Sequence, residues 1–404
     1  MDDILSHGGD REPSPWPRRL AAIAALILVA VAGAVYLTNL SRHGHAPVAT
    51  RSTPVTASPG TVPVGVAGAG LPSEPSGIAG RTLPWTSGLR LPVTGTQPAW
   101  FSPASGRSEP IGGLPAVSSG YQFIRVIGGW AVQADPAASV ACGDCAKPSM
   151  PVWFLADGAR SVTGVGTANL VAPAATAGAV WLTSYPLGGS MSTAAGMARE
   201  VSSTGTPLRP QVRLPSGYVI DQATDRGLLL APVSPQGTPV YKLWDPAAPR
   251  ASRSFGMVIA ASPTEIAWTS RCAPVCQVQL LDLVSGRRTA VRLPGASSPA
   301  SGAFSPDGDL LALQVSVDNS GDNGALALRL EVASIASGRL TAVPGTFVSS
   351  DALVGFGWPA HGDSLVAEFS FTTKTQLASW HPGATRPAVT VVRPGRTQAS
   401  LILG

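Results

Sequence analysis

Charge is scarce in this chain. Only 51 of its 404 residues are Asp, Glu, Lys or Arg, 13% of the total, and just three of the 28 basic residues are lysines. With 44% apolar residues, so little charge excludes disorder throughout. The net charge of +5 is spread along the whole length, so the basic stripe that marks a nucleic-acid partner is missing. Long amphipathic helices are missing too, because beyond residue 80 no apolar stripe of helical period lasts three turns. Neither Gly-x-Ser-x-Gly nor His-Glu-x-x-His occurs, which removes two common hydrolase signatures. Cysteine appears only four times, whereas Gly and Pro together supply 83 residues.

One long apolar run is present. Leu20 to Leu37 reads LAAIAALILVAVAGAVYL, eighteen residues without charge or proline, and as a helix it rises about 27 Å, close to a hydrocarbon core. Arg18 and Arg19 precede it, so the positive-inside rule places the N-terminus in the cytoplasm and the rest outside the cell membrane. Ala32-Gly33-Ala34 fits a signal-peptide cleavage site, the rival reading, but Val35-Tyr36-Leu37 prolongs the run past it. Residues 41–80 hold six Pro, seven Gly and nine Ser or Thr, with one carboxylate, Glu74. Such a composition cannot bury enough surface to fold, and it reads as a stalk. The expected organisation is a cytoplasmic tail at 1–19, a single-pass transmembrane helix at 20–40, a disordered linker at 41–80 and a folded domain at 81–404.

Within that domain one unit recurs seven times: an apolar strand, a tight turn and a second strand. The turn centres are Gly106, Gly158, Gly205, Ala248, Gly286, Gly338 and Gly383, a mean step of about 46 residues, and a period of that length made of several strands predicts propeller blades. Ahead of six of these hairpins lies another strand pair, around Val126–Val132, Val171–Thr183, Val219–Ala231, Val258–Thr269, Ala303–Val315 and Leu353–Phe369. The Gly106 hairpin has no convincing pair before it, and the chain ends in a lone strand, Gln398 to Gly404, able to complete that blade and leave no open edge. The fold class expected is therefore all-β: a seven-bladed β-propeller, six or eight blades being the neighbouring counts, preceded by one transmembrane helix and a disordered linker.

Ala303-Phe304-Ser305-Pro306-Asp307-Gly308-Asp309-Leu310-Leu311-Ala312 resembles the F-S-P-D-G-x-x-L-A signature of TolB-type, WD-repeat-like β-propellers, and Gly357 to Ala367 resembles a degenerate copy of it. In physical terms the motif is a turn in which Asp accepts backbone N–H bonds and Gly takes positive φ. The resemblance covers about residues 90–404. It implies the fold and, for function, a binding platform with varied partners.

The cysteines form two short pairs, Cys142 with Cys145 and Cys272 with Cys276. Both fall between the second and third strands of their blades, in the second and fifth blades, so they share a face but lie almost across the ring. One zinc ion cannot reach both pairs. In an oxidising compartment each reads as a local disulfide, ahead of a redox-active pair. The same connections carry the insertions Tyr185–Gly196 and Val317–Gly324, which nominates Tyr185, Met191, Asp318, Asn319, Asp322 and Asn323 as candidates on a binding face. The last four offer oxygens to calcium but lack a spaced acidic partner. No metal or cofactor is expected. His361 and His381 read as turn residues, and the strand tryptophans as packing between blades, with sugar stacking as the alternative. Asp225, Asp245, Glu265, Asp309, Asp351, Asp363 and Glu368 are scattered around the ring, so no catalytic pair emerges. The functional expectation is a non-enzymatic, membrane-anchored, extracytoplasmic propeller that binds a protein, peptide or glycan, without nucleic acid. The alternatives are a propeller-based enzyme acting on envelope glycans and a sensory or structural stalked domain.

Overall fold

The computed structural model describes residues 89–392, apart from 94–96, 118–119, 136–145, 147, 187–188, 235–237, 250, 270–271, 273–274, 295–296, 318–326, 350–352, 361–362 and 372–373. All of these belong to one compact unit, Gly68–Gly404. The apolar run at 20–37 lies outside the described residues, as do the linker and the terminal strand at 398–404. Among the described residues no helix is long and apolar enough to cross a membrane.

Seven antiparallel sheets follow one another along the chain, each a meander in chain order. Blade 1 holds β1 (Leu91–Val93), β2 (Ala99–Ser102) and β3 (Arg107–Pro110); blade 2 holds β4 (Tyr121–Val126), β5 (Gly129–Ala134), β6 (Met150–Ala156) and β7 (Thr163–Ala168). Blade 3 holds β8 (Leu170–Pro173), β9 (Ala179–Ser184), β10 (Met197–Ser202) and β11 (Val212–Arg213); blade 4 holds β12 (Tyr218–Thr224), β13 (Gly227–Pro232), β14 (Tyr241–Trp244) and β15 (Arg253–Phe255). Blade 5 holds β16 (Met257–Ala261), β17 (Glu265–Thr269), β18 (Gln277–Asp282) and β19 (Arg288–Arg292). In blade 6, β20 (Ser297–Phe304), β21 (Leu310–Val317) and β22 (Ala327–Ser334) are followed by β23 (Leu340–Ala342) and β24 (Val348–Ser349), which both pair with β22. Blade 7 holds β25 (Leu353–Gly357), β26 (Leu365–Phe371), β27 (Lys374–Trp380) and β28 (Ala388–Val392). In blades 2 to 7 the first strand is innermost, and those of blades 2 and 3, 3 and 4, 5 and 6, and 6 and 7 approach one another.

The hairpin turns carry the repeat. Gly106, Gly286 and Gly338 take φ of 67°, 73° and 66°, and each donates its N–H to the carbonyl four residues back, at Ser102, Asp282 and Ser334. Positive φ costs glycine little, which is why glycine sits at this place in six of the seven units. Blade 4 does without it: its turn begins at Asp245, whose Oδ1 accepts the Ala247 N–H at 2.9 Å. The Ser305–Leu310 turn behaves as its motif requires, with the Ser305 hydroxyl donating to Asp307 at 2.5 Å and accepting the Leu310 N–H at 2.9 Å, while Gly308 takes φ of 76°. In blade 1 one short strand, β1, precedes the hairpin, which gives a three-stranded sheet among the described residues.

Burial supplies the closure. Every blade meets the next through its own apolar cluster. Trp100 and Ile111 pack on Tyr121 and Phe123 between blades 1 and 2, Trp181 on Ile220 and Trp244 between blades 3 and 4, and Leu330 and Val332 on Phe356 and Phe369 between blades 6 and 7. The ring is completed where Leu91 and Phe101 of blade 1 meet Val366 and Leu377 of blade 7. Each fully buried side chain of this size contributes about 1.5–3 kcal/mol, so the apolar seams carry much of the closure, alongside hydrogen bonds between neighbouring blades. The tryptophans serve them: Trp100 donates Nε1–H to Ala159 at 2.7 Å and Trp358 to Ala303 at 3.0 Å, each bond reaching into the neighbouring blade.

Candidate binding face

In a meander of four strands, the connection from second to third strand and the passage to the next blade emerge on one face. The disulfide between Cys272 and Cys276 closes the blade 5 loop on that face, leaving Val275 exposed between the two half-cystines. Cys142 and Cys145 fall outside the described residues, as do Asp318, Asn319, Asp322 and Asn323. Met191 is half-buried. Tyr185 turns inward: it is 7% exposed, its hydroxyl donates to the Tyr218 carbonyl at 3.0 Å, and burial pushes its phenol up to about 12. A Cβ on Gly196 would come within 2.7 Å of the Tyr185 ring. Tyr185 therefore fastens the blade 3 loop to the inner strand of blade 4.

The same face holds a cleft that the spacing of the sequence did not reveal. It lies between blades 2 and 3, close to their inner strands, with a volume of about 70 Å³, and Gln122, Ile124, Gln133, Asp135, Met150, Asn169, Leu170 and Val171 line it. Two of its polar side chains are almost fully buried, Gln133 and Asn169 at 6% exposure each. Buried amides need partners. Gln133 donates Nε2–H to the Ala168 carbonyl at 2.8 Å, and Asn169 accepts the Tyr185 N–H through Oδ1 at 2.6 Å. The first bond lies within blade 2, and the second ties the residue entering β8 to the blade 3 loop, so each wall is fixed by its own blade. The volume is far below the ~300–1,000 Å³ of a typical small-molecule site, so the cleft suits the end of one side chain.

Inside the ring the inner strands share an irregularity. Pairing with the second strand slips between Ile220 and Gln222, Val258 and Ala260, Pro299 and Ser301, and Leu353 and Gly355. Each slip is a β-bulge that re-aims one residue: Asp221, Ile259, Ala300 and Val354 in blades 4 to 7. Asp221, Ala300 and Val354 are exposed, whereas Ile259 is buried.

The opposite face carries the short turns and most of the paired charge. Arg125 grips Asp157 with two hydrogen bonds, 2.6 and 2.8 Å, while lying 5.0 Å from the Trp130 ring centre. Glu265 lies half-buried at the head of β17, with one oxygen lacking a hydrogen bond among the described residues. Burial, reinforced by Asp282, Asp309 and Asp307 and opposed by Arg287, pushes its carboxyl to about 7. His361 falls outside the described residues. His381 sits at its turn with Nδ1 2.8 Å from the Pro382 carbonyl and Nε2 2.6 Å from Asp363 Oδ2. Both neighbours are acceptors, and only the imidazolium can donate to both. The Pro382 carbonyl and then Asp363 raise the His381 pKa above its ordinary 6.5. A proton NMR titration should find its midpoint above 6.5, and Asp363→Asn should bring it part of the way back. The associated stability is present below pH 6.5 and is lost as pH rises through the folded midpoint; exposure keeps it small.

No protein-family model and no curated protein matches this sequence. Solved structures do. A prolyl endopeptidase aligns over 76% of this chain and 51% of its own, with 13% identity and a TM-score of 0.51, so the chain spans about half the length of that relative. At such identity the likeness speaks to the fold alone. A protein from Agrobacterium tumefaciens described as TolB shares 12% identity over 57% of this chain and 83% of its own, at a TM-score of 0.37. A 6-phosphogluconolactonase-like protein from Bacteroides fragilis shares 12% over 79% and 99%, at 0.41. These two overlaps are too loose to argue from.

Proposed function

We propose that this β-propeller is a non-enzymatic binding platform, held outside the cell membrane by its N-terminal apolar segment, that receives a protein or peptide on the face carrying the second-to-third-strand loops. The observation that carries the reading is the cleft between blades 2 and 3. It has aliphatic walls from Ile124, Met150, Leu170 and Val171 and polar groups from Gln122, Gln133 and Asn169, the mixture that accepts a side chain with an apolar stem and a hydrogen-bonding tip. A glycan would call instead for an open aromatic ring; the tryptophans Trp100, Trp130, Trp181, Trp244, Trp358 and Trp380 are buried, and Trp153 and Trp268 are half-buried against the seam clusters.

Gln122 is exposed on β4 at the cleft mouth, so Gln122→Trp fills the cleft without disturbing a seam. Capture from crosslinked envelopes by the full chain should lose its specific protein partner about tenfold in this variant, with the melting temperature unchanged within about two degrees. Equal capture by the variant would remove the cleft from the reading. Protease added to intact protoplasts should release the propeller and leave a membrane-bound N-terminal fragment; full protection until lysis would reverse the orientation.

A further inference from the structure

The inner strands are almost without charge. Across β4, β8, β12, β16, β20 and β25 only Arg125 and Asp221 are charged, and Arg125 is committed to Asp157. Asp221 stands on the bulge of β12, where the register slips from Ile220 to Gln222. Ile220 and Ala223 on either side turn into the seam with blade 3, which leaves Asp221 as the residue thrust off the sheet. It is exposed, and among the described residues it makes no ion pair or hydrogen bond.

We infer that Asp221 is an anchor in the central channel for a cationic group, the guanidinium or ammonium of a partner's basic side chain. Three features converge on this. The first strand of each of blades 4 to 7 carries a bulge, but only in blade 4 does it present a charge; Ala300 and Val354 are exposed bulge residues in blades 6 and 7. Water reaches Asp221, yet surrounding atoms desolvate it enough to raise its carboxyl above the ordinary value. Both hold at once for a group inside a narrow water-filled channel, whose low-dielectric walls focus the field of an uncompensated charge. The titratable group coupled to it is Tyr241, whose phenol is pushed up by burial and then by Asp221, and among the described residues no cation pairs with the carboxylate. A divalent metal needs several oxygens in one shell, and one carboxylate does not supply them. An organic cation needs only one.

The inference deepens the platform reading and rests on it for the identity of the partner as a peptide. Its test is separate. A fluorine-labelled acetyl-Gly-Arg-Gly amide and its citrulline counterpart, equal in shape but neutral, are titrated against the full chain by fluorine NMR at pH 8 and low salt. The arginine peptide should bind about tenfold tighter or more than the citrulline peptide, and Asp221→Asn should erase the difference while the melting temperature holds. Should Asp221→Asn melt early, the wild-type preference at pH 8 against pH 3 replaces it, and the preference should vanish as the carboxyl is protonated. Equal binding of the two peptides, or a preference that survives Asp221→Asn or protonation, overturns the anchor. Calcium chloride that binds more tightly than the arginine peptide, in an Asp221-dependent way, overturns it in favour of a metal. If the arginine preference holds while Gln122→Trp leaves partner capture intact, the cleft reading fails alone; the reverse pattern sinks only the anchor.

Discussion

Gly129→Ala should destabilise the propeller by about 3 kcal/mol or more. Gly129 opens β5 directly after the turn from β4, and a Cβ there would lie 2.4 Å from the Leu155 carbonyl oxygen, 2.9 Å from the Phe154 ring and 3.0 Å from the Ala156 Cα. Two of these three neighbours are backbone of β6, the central strand of the blade, so no rotamer change relieves the contact. The strand itself has to move. Ala131 on the same strand and Leu155 opposite are fully buried, and a displacement of β6 passes into the seams on both sides of blade 2. For a domain of this size the melting temperature should fall by roughly 5 °C. Gly355→Ala is the internal control, since nothing lies within 4 Å of its Cβ position; it should stay within about 0.5 kcal/mol of the parent. Parallel urea melts of the three proteins decide the matter, and a Gly129→Ala variant as stable as the control would show that β5 and β6 do not approach as described. Gly227 opens β13 in blade 4, where an added Cβ would lie 2.6 Å from the Trp244 carbonyl oxygen, so a second blade carries the same constraint.

Glu265→Gln should act in the opposite direction, and only in part of the pH range. The Glu265 carboxyl is raised from 4.5 to about 7, first by burial and then by Asp282, Asp309 and Asp307. Gly308 presses on it from the next blade, where an added Cβ would stand 3.0 Å from Oε2. A raised carboxyl means that the folded protein holds the proton more tightly than the unfolded chain between pH 4.5 and 7. Stability is therefore fully present below about 4.5 and declines as pH rises through the folded midpoint. The shift taken at face value overstates the cost, because Glu265 is only half-buried and solvent screens part of it. A stabilisation of about 1–2 kcal/mol for Glu265→Gln at pH 8 is the discounted figure. At pH 4 the two proteins should melt together. Thermal melts at both pH values check it, and an equal gain at pH 4 would trace the effect to packing instead of charge.

Function leaves less trace in the sequence than fold does. The cysteine spacing led to the Cys272–Cys276 disulfide and the loop lengths to a face, yet the loop residue Tyr185 proved to be a buried fastener with its hydroxyl on Tyr218. The Gly196 that makes room for its ring was a readable clue, eleven positions along the chain. The dipeptide Trp244-Asp245 at the end of β14 was another, marking a hairpin whose turn an Asp side chain organises in place of glycine. Gln133 and Asn169 stand 36 positions apart, on two blades, and neither belongs to a recognisable motif.

What the amino-acid sequence by itself determined is the repeat: apolar strands about 46 residues apart in period, glycine or aspartate at the turns, and the strand pair before six hairpins, which became β4–β5, β8–β9, β12–β13, β16–β17, β20–β21 and β25–β26. These are local properties, set by alternation along one strand and by the φ that a turn residue can adopt. Only the tertiary structure decided which side chains meet across a seam and which are turned out of it. The Glu265 carboxyl is raised by burial, by Asp282 and, from blade 6, by Asp309 and Asp307, and Asp221 is exposed on the bulge where β12 slips by one residue against β13. A slip of one residue redirects a side chain from one environment to another, and its position follows from how neighbouring blades pack, which alternation along a single strand does not encode.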